Sequence, residues 1–303
     1  MKRVVVGLGP VDPELVLPYL GDEVQFIREP SAGDLAVAEG AIVRAAYDVD
    51  RARLDTMPRL RVIARTGVGV ERVDLAAAAE RGIPVAVTPG SNAQAVAEGA
   101  FALLLALVKR VGESNSYVAG DRWGVDPVPV PGDVFGKTLA VVGFGRIGRI
   151  VAGFATAFGM RVLVHDPFVR ADEFENVTLE EALQRADAIT LHLPGGDGEL
   201  LGRDRLALAK PGLVLVNCAR AELVATETLE WALEQKILGG VGLDVFATEP
   251  MREHPLAHHS RVLLSPHTSG LSEAAMAKTF QMAAEAVREV LEGRYPSFTE
   301  ELA

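Results

Sequence analysis

The chain has a single cysteine, Cys218, among 303 residues, so no intrachain disulfide can staple it. Structural disulfides belong to oxidising compartments, and a lone thiol fits a reducing, cytoplasmic setting. Long apolar runs are also missing. The longest, Ala100–Val108, falls well short of the roughly 18 residues that a spanning helix needs. Met1 to Gly9 runs straight into a strand-like pattern with no apolar core or cleavage site of a signal peptide, which again favours the cytoplasm. Positive charge is scarce: 30 Lys and Arg against 41 Asp and Glu leave a net charge of −11. Nonspecific binding to nucleic acid or to an anionic membrane needs a basic surface, so neither is an expected partner. A small anionic ligand held by a local arginine cluster remains compatible with this balance. No repeat and no low-complexity tract is visible. His254, His258 and His259 lie close together, but Pro255 interrupts them and no cysteine or carboxylate pattern completes a ligand set, so no metal is expected.

What is present is a globular composition, 49% hydrophobic and 23% charged, long enough for two domains. Short β-branched runs alternate with longer helical patterns. The first series of strands is expected at Arg3–Val6, Val24–Ile27, Ala41–Val43, Val62–Ala64 and Val85–Val87. A second series is expected at Thr138–Val142, Arg161–Val164, Ala188–Leu191, Val214–Val216, Val241–Asp244 and Val262–Leu264. Most are continuous apolar runs, the mark of parallel strands covered on both faces by helices. Between the series, Ala93 to about Val111 reads as one helix, apolar nearly all round and so buried between layers or subunits. Trp123 to Gly136, with prolines at 127, 129 and 131, reads as an extended connection. Glu273 to Leu291 reads as a closing helix with Ser272 as N-cap and Gly293 as stop. Trp123 and Trp231 read as packing residues and His192 as a structural histidine.

The sharpest local motif is Gly143-Phe-Gly145-Arg-Ile-Gly148, after a strand and at the start of a helix. Gly143 permits a tight turn, Gly145 lets the backbone approach a pyrophosphate, and Gly148 allows close helix–strand packing, while the helix N-terminus offers free N–H groups to the anion. The next strand ends in His165-Asp166, which places an acidic side chain where the ribose hydroxyls of a dinucleotide are bonded. A carboxylate there repels a 2′-phosphate and favours NAD over NADP, with His165 and Arg170 as nearby groups that could oppose that preference.

Three charged residues follow later strands: Arg220, Glu249 (before Pro250) and His267. An arginine can fork onto a carboxylate, a histidine can move a proton near neutral pH, and a carboxylate can orient it. Together they suit hydride transfer between a 2-hydroxy acid and NAD. Singly, they also read as a surface arginine, a turn glutamate and a loop histidine.

With these blocks in place, the sequence resembles the D-isomer-specific 2-hydroxyacid dehydrogenases, and within them the phosphoglycerate branch. The resemblance covers nearly the whole chain. It rests on Arg65-Thr-Gly-Val-Gly-Val-Glu-Arg-Val-Asp74, Arg81-Gly-Ile-Pro-Val, Thr88-Pro-Gly-Ser-Asn92, Ala95-Val-Ala-Glu98, the glycine loop with Asp166, Asn217-Cys-Ala-Arg220, Asp244-Val-Phe-Ala-Thr-Glu-Pro250 and Pro266-His-Thr-Ser-Gly270. It implies an α/β fold of two doubly wound parallel-sheet domains, a Rossmann-type cofactor domain (94–270) inserted in a flavodoxin-like substrate domain (1–93 plus 271–303). It implies Arg220 on the substrate carboxylate and carbonyl, His267 as general acid/base and Glu249 as its partner. It also implies Arg146 and Ile147 at the pyrophosphate, Asp166 at the ribose, Leu193 at the adenosine, Cys218 and Ala219 near the nicotinamide and Asp244 on its carboxamide. Val68 and Gly69 would lie in a loop that closes on substrate, and Arg44, Arg65 and Asn92 would contact a phosphorylated one. A homodimer built on the cofactor domain is implied as well.

The expected activity is therefore NAD-dependent oxidation or reduction of a small D-2-hydroxy or 2-keto acid, foremost D-3-phosphoglycerate on the way to serine. A glyoxylate or hydroxypyruvate reductase is the alternative within the class, and an NAD-sensing corepressor-type binding protein the alternative outside it. Two features depart from the family pattern: Ala221 replaces a usual glycine, and the Pro194–Gly202 segment is short and lacks threonines. Because the sequence stops at Ala303, feedback through a C-terminal regulatory domain is not expected.

Overall fold

The computed structural model describes residues 2–44, 46–196 and 198–299. Asp197, in the short 194–202 segment, lies outside the described residues. Two compact units form, one from Met1–Asn92 with Leu271–Ala303 and the other from Ala93–Gly270.

The first unit begins with β1 (Arg3–Leu8), α1 (Pro13–Leu20), β2 (Val24–Ile27), α2 (Ala32–Val37), β3 (Ala38–Val43), α3 (Arg51–Asp55), β4 (Val62–Arg65), α4 (Leu75–Glu80) and β5 (Val85–Ala86). The strands are parallel and ordered β2-β1-β3-β4-β5, the flavodoxin-like doubly wound arrangement. The apolar runs are explained by burial on both faces. Ala41 and Val43 of β3 join Leu35, Leu54 and Ala77 in one core, whereas Ile42 joins Val16 and Leu20 in the other.

The second unit holds α5 (Ala93–Val108), α6 (Val111–Ala119), β6 (Thr138–Val142), α7 (Arg146–Ala157), β7 (Arg161–His165), β8 (Glu175–Asn176), α8 (Leu179–Arg185), β9 (Ala188–Leu191), α9 (Arg203–Leu206), β10 (Leu213–Asn217), α10 (Thr226–Glu234), β11 (Leu238–Leu243) and β12 (Val262–Leu264). Its seven parallel strands are ordered β12-β11-β10-β9-β6-β7-β8. The chain steps outward from β6 and then returns to add β9 on the other side, so the order reverses at the β6/β9 boundary. Helices α8 to α10 cover one face and α5 with α7 the other. The chain then returns to the first unit as α11 (Glu273–Leu291), where Phe280, Ala283, Ala284 and Val287 complete the core around α1. Ser272 caps α11 by accepting a hydrogen bond from the Ala275 N–H, and Gly293 follows at φ 84°.

Three expectations are corrected. The single helix from Ala93 to Val111 is two helices, broken at Arg110, which has φ 53°. Arg261 braces the break from far along the chain: its Nη1 donates to the Leu107 carbonyl at 3.2 Å and to Glu113 Oε1 at 2.7 Å, contacting both helices. The edge strand β8 is too short to carry an apolar pattern. Trp231 packs against the core, but Trp123 is 82% exposed and is no packing residue in this unit.

His192 follows β9. Its Nε2 lies 2.9 Å from Thr190 Oγ1, and its Nδ1 is shielded with no hydrogen-bond partner among the described residues. Burial pushes its pKa down from 6.5 to about 4. The unfolded chain therefore takes up this proton at higher pH than the folded chain, and stability is lost as pH falls from 6.5 towards 4. The loss amounts to up to about 3 kcal/mol. Urea denaturation across this range should show a steeper loss in the wild type than in His192→Gln. Parallel profiles would mean that the imidazole takes its proton equally in both states.

Candidate active site

The register of the second sheet aligns the last residues of six strands in one row: His165, Val142, Leu191, Asn217, Leu243 and Leu264. The second-unit residues expected at the catalytic and cofactor site all lie in the connections beyond this row, at the carboxyl rim. In open parallel sheets, ligands bind at this rim where the strand order reverses, here between β6 and β9.

The glycine loop fits a dinucleotide for three different reasons. Gly143 has φ 91°, and a Cβ on it would stand 2.5 Å from the His192 carbonyl oxygen across the β6/β9 boundary. A Cβ on Gly148 would stand 2.1 Å from the Gly143 carbonyl oxygen, so the helix could not sit so close to its strand. Gly145 is constrained by neither effect: its φ is −77° and a Cβ would meet nothing within 4 Å. Its missing side chain leaves the mouth of the crevice open. Gly145 is also the N-cap of α7 and offers no side-chain cap, which leaves the first-turn N–H groups of Arg146, Ile147 and Gly148 for an anion.

Asp166 stands beside this loop. Its Oδ2 accepts from the Phe144 N–H at 2.7 Å, and its Oδ1 accepts from the N–H groups of Phe168 and Val169, both at 2.9 Å. Burial alone would raise its pKa, but these three donors and nearby His165 outweigh it and hold the carboxyl below its ordinary range. The carboxylate thus ties the glycine loop to the turn after β7. His165 Nδ1 lies 3.0 Å from the Val177 carbonyl oxygen, which engages that nitrogen. Leu193 is half-buried against the core next to the boundary.

At the ends of β10, β11 and β12 a second cluster forms. Asp244, 2% exposed, accepts from Ser265 Oγ at 2.5 Å and from the N–H groups of Thr268 at 2.9 Å and Ser269 at 3.1 Å. These bonds fix the loop that carries His267, whose backbone is left-handed at φ 54°, a costly conformation for a non-glycine residue. His267 Nδ1 lies 2.7 Å from Glu249 Oε2, and Glu249 Oε1 accepts from the Phe246 N–H at 3.0 Å. With Glu249 anchored to its own loop, the imidazole is oriented, and its Nε2 has no hydrogen-bond partner among the described residues. The ring is 56% exposed.

Arg220 follows β10 in an extended conformation, its carbonyl accepting from Asn217 Nδ2 at 2.8 Å. Asn217 Oδ1 in turn accepts from the Ala219 N–H at 3.0 Å. The buried Asn217 thus shapes the turn that presents Cys218, Ala219 and Arg220. Cys218 lies 3.9 Å from Ser269 Oγ, joining this turn to the His267 loop. Burial, and then the charge of Asp244, push its thiol up to about 12, so it stays protonated and is no nucleophile at neutral pH. Asn217, Ser265 and Ser269 were missed as site residues from the sequence. A polar residue directly after an apolar run is the signal that marks Asn217.

In the first unit, Arg44 stands at the β1/β3 boundary, where that sheet also reverses its order. A Cβ on Gly9, at the end of β1, would lie 3.0 Å from Arg44 Cβ. The Arg44 guanidinium is 5.3 Å from the Phe280 ring centroid and has no ion-pair or hydrogen-bond partner among the described residues; burial lowers its pKa. Arg65, expected as a substrate contact, is placed in the interior of the unit. It is 2% exposed, and its guanidinium donates to the carbonyls of Gly69, Arg44 and Tyr47. Val68 is 47% exposed, and Gly69 and Asn92 are half-buried.

Among the described residues no three His, Cys, Asp or Glu side chains are grouped as a metal site would require, and no helix is long and apolar enough to cross a membrane.

Residues 101–269 match the family profile of the NAD binding domain of D-isomer specific 2-hydroxyacid dehydrogenases. D-3-phosphoglycerate dehydrogenase of Mycobacterium leprae is 37% identical over 289 residues, covering 91% of this chain and 54% of the relative. The chain thus spans about half the length of that enzyme. Glyoxylate reductase of Korarchaeum cryptofilum is 36% identical over 302 residues, covering 96% of this chain and 91% of the relative. Among solved structures, the TT0316 protein of Thermus thermophilus superposes with a TM-score of 0.89 at 35% identity, covering 98% of this chain and 99% of that one. With the family's cofactor-domain profile matched over more than half its length, and a relative matched nearly end to end, the chain belongs to the D-isomer specific 2-hydroxyacid dehydrogenases.

Proposed function

We propose that this chain is an NAD-dependent dehydrogenase that interconverts a small D-2-hydroxy acid and its 2-keto acid. The observation that carries the proposal is the oriented His267–Glu249 pair with Nε2 left outward, on the same rim as the dinucleotide loop. NAD, when bound, supplies or takes up the hydride. Gly143, Gly145, Arg146, Ile147 and Gly148 hold the diphosphate, Asp166 bonds the adenosine ribose and Leu193 lines the adenosine side. Cys218 and Ala219 wall the nicotinamide, and Asp244 can bond its carboxamide only through a lone pair left over from its three loop bonds. Arg220 binds and orients the substrate carboxylate and carbonyl. His267 gives a proton to the carbonyl oxygen in reduction and takes it from the hydroxyl in oxidation. Glu249 holds the imidazole and balances the charge it acquires.

For the substrate we propose D-3-phosphoglycerate. The support is Arg44, a half-buried cation with no anion of its own at the switch point of the first sheet, joined by Val68, Gly69 and Asn92 as further substrate contacts. Glyoxylate reduction is the second reading, favoured by the relative in Korarchaeum cryptofilum that matches along nearly its full length. We also propose a homodimer, for which the exposed Trp123, Val128, Val130 and Phe135 of the second unit are the support. A cytoplasmic location is proposed from the lone cysteine.

His267→Ala should lower kcat by about 10²-fold or more while the KM for NADH stays nearly constant. Glu249→Gln, which keeps the shape of the pair, should cost less. A near wild-type kcat for His267→Ala at neutral pH would remove the proton-transfer assignment.

Asp166→Ser should raise the KM for NAD at least tenfold, since it loses both the ribose bond and the tie to the Phe144 N–H, each a charged hydrogen bond worth about 1.5–3 kcal/mol. The preference for NAD over NADP should narrow without inverting. A wild type that prefers NADP in side-by-side kcat/KM measurements would refute the role of Asp166.

Arg44→Met should reduce kcat/KM for 3-phosphoglycerate by roughly tenfold more than for glyoxylate, on the same energy scale. Equal losses would give Arg44 a role unrelated to phosphate, and no turnover of 3-phosphoglycerate by the wild type would leave the glyoxylate reading.

A further inference from the structure

Among the described residues, the buried polar side chains of the first unit are Arg65, Thr66, Thr88, Ser91 and Thr279. All five serve the connections that leave β3, β4 and β5. Thr66 Oγ1 donates to the Val43 carbonyl at 3.3 Å. Thr88 donates to the Gly67 carbonyl through its N–H at 3.0 Å and through Oγ1 at 3.3 Å. Ser91 Oγ donates to the Thr88 carbonyl at 2.9 Å, and Thr279 Oγ1 of α11 donates to Ser91 Oγ at 2.7 Å. Arg65 grips the other end of the same loop: Nε and Nη2 donate to the Gly69 carbonyl at 3.1 and 3.0 Å, and Nη1 donates to the Arg44 carbonyl at 2.9 Å. The Gly67 and Gly69 carbonyls are thus both pulled inward, and the side chain of Val68 between them is turned out to solvent.

Building on the dehydrogenase reading above, we infer that Arg65 is a positioning residue: its buried guanidinium fixes the Gly67–Gly69 loop and the backbone of Arg44, and it does not itself receive the substrate's phosphate. Two arginines close in sequence and chemistry have opposite surroundings. Arg44 is half-buried beside an aromatic ring. Arg65 is sealed near Glu71, and its guanidinium donates to the carbonyl oxygens of Gly69, Arg44 and Tyr47, whose positions it sets. A guanidinium suits this task because its planar fork holds several acceptors in a fixed mutual geometry, which an ammonium cannot copy. Turning it outward to meet a phosphate would take its donors from the Gly69 and Tyr47 carbonyls and leave the Arg44 carbonyl with the Tyr47 N–H alone, a loss inside the unit that a solvated anion contact would not recover.

The test compares Arg65→Met and Arg65→Lys with the wild type by two measurements. The first is kcat and KM on glyoxylate and on 3-phosphohydroxypyruvate, with KM for NADH alongside. Both keto acids should show the same rise in KM, at least tenfold in Arg65→Met, with the KM for NADH unchanged and partial recovery in Arg65→Lys. The second is amide hydrogen exchange. The 66–72 segment should lose protection at least tenfold in Arg65→Met, while α11 and the central strands keep theirs. A loss confined to the phosphorylated substrate, with 66–72 protection intact, would overturn the inference and make Arg65 a phosphate contact. Protection lost evenly across the unit would overturn it too and leave Arg65 an ordinary core residue. If Arg65→Met fails to fold, Arg65→Lys carries both measurements. Failure of the wild type to turn over any keto acid would remove the proposed activity, whereas the exchange result would still decide whether Arg65 holds the loop.

Discussion

A parallel strand is stable only when both of its faces are covered, and in this chain that constraint decides where chemistry can occur. Both sheets are parallel throughout, and their strands alternate between two apolar cores, as Ala140 and Val142 of β6 face one and Leu139 and Val141 the other. Few polar side chains can be tolerated along such strands, because an unsatisfied polar group there costs several times what a hydrogen bond returns. Polar side chains with a task are displaced to the connections, and the register that aligns strand ends brings those connections together on one rim. Asp166, Asp244 and Cys218 each come directly after a strand; Arg220 follows in the Cys218 connection, Glu249 in the Asp244 connection and His267 in the one after β12.

The two carboxylates on that rim show how the loops are made rigid enough to act. Asp166 gathers three backbone N–H groups from two connections, and Asp244 gathers two N–H groups and a hydroxyl from a third. A carboxylate with about four acceptor positions can do this while retaining capacity for a ligand. In each case the loop organised belongs to the proposed site: the glycine turn for Asp166, the strained His267 backbone for Asp244. The left-handed conformation of His267 persists because Asp244 holds the residues after it and Glu249 holds its ring. The first unit solves the same problem with the opposite charge, a buried arginine that gathers carbonyls in place of a carboxylate that gathers amides.

Much of this was legible in the sequence. Apolar runs located eleven of the twelve strands, because burial on both faces writes the strand directly into residue type. The glycine spacing located the dinucleotide turn, because only glycine satisfies a positive φ at 143 and the close approach at 148. Ser272 and Gly293 marked the ends of α11 because capping is a local interaction. The candidate acid/base pair and its neighbouring arginine were found by residue type and position after strands, aided by the family resemblance. What the tertiary structure alone decided involves partners far apart in the chain. Arg261 braces the helix break at Arg110 through partners 154 and 148 positions away. Asn217 and Asp244 shape loops through bonds that no periodicity predicts. Arg44 and Arg65 look alike in sequence, yet one is left beside a ring and the other is enclosed by carbonyls. A side chain's chemistry is fixed by its type, but whether that chemistry is spent internally or offered to a ligand depends on which distant backbone groups fold against it.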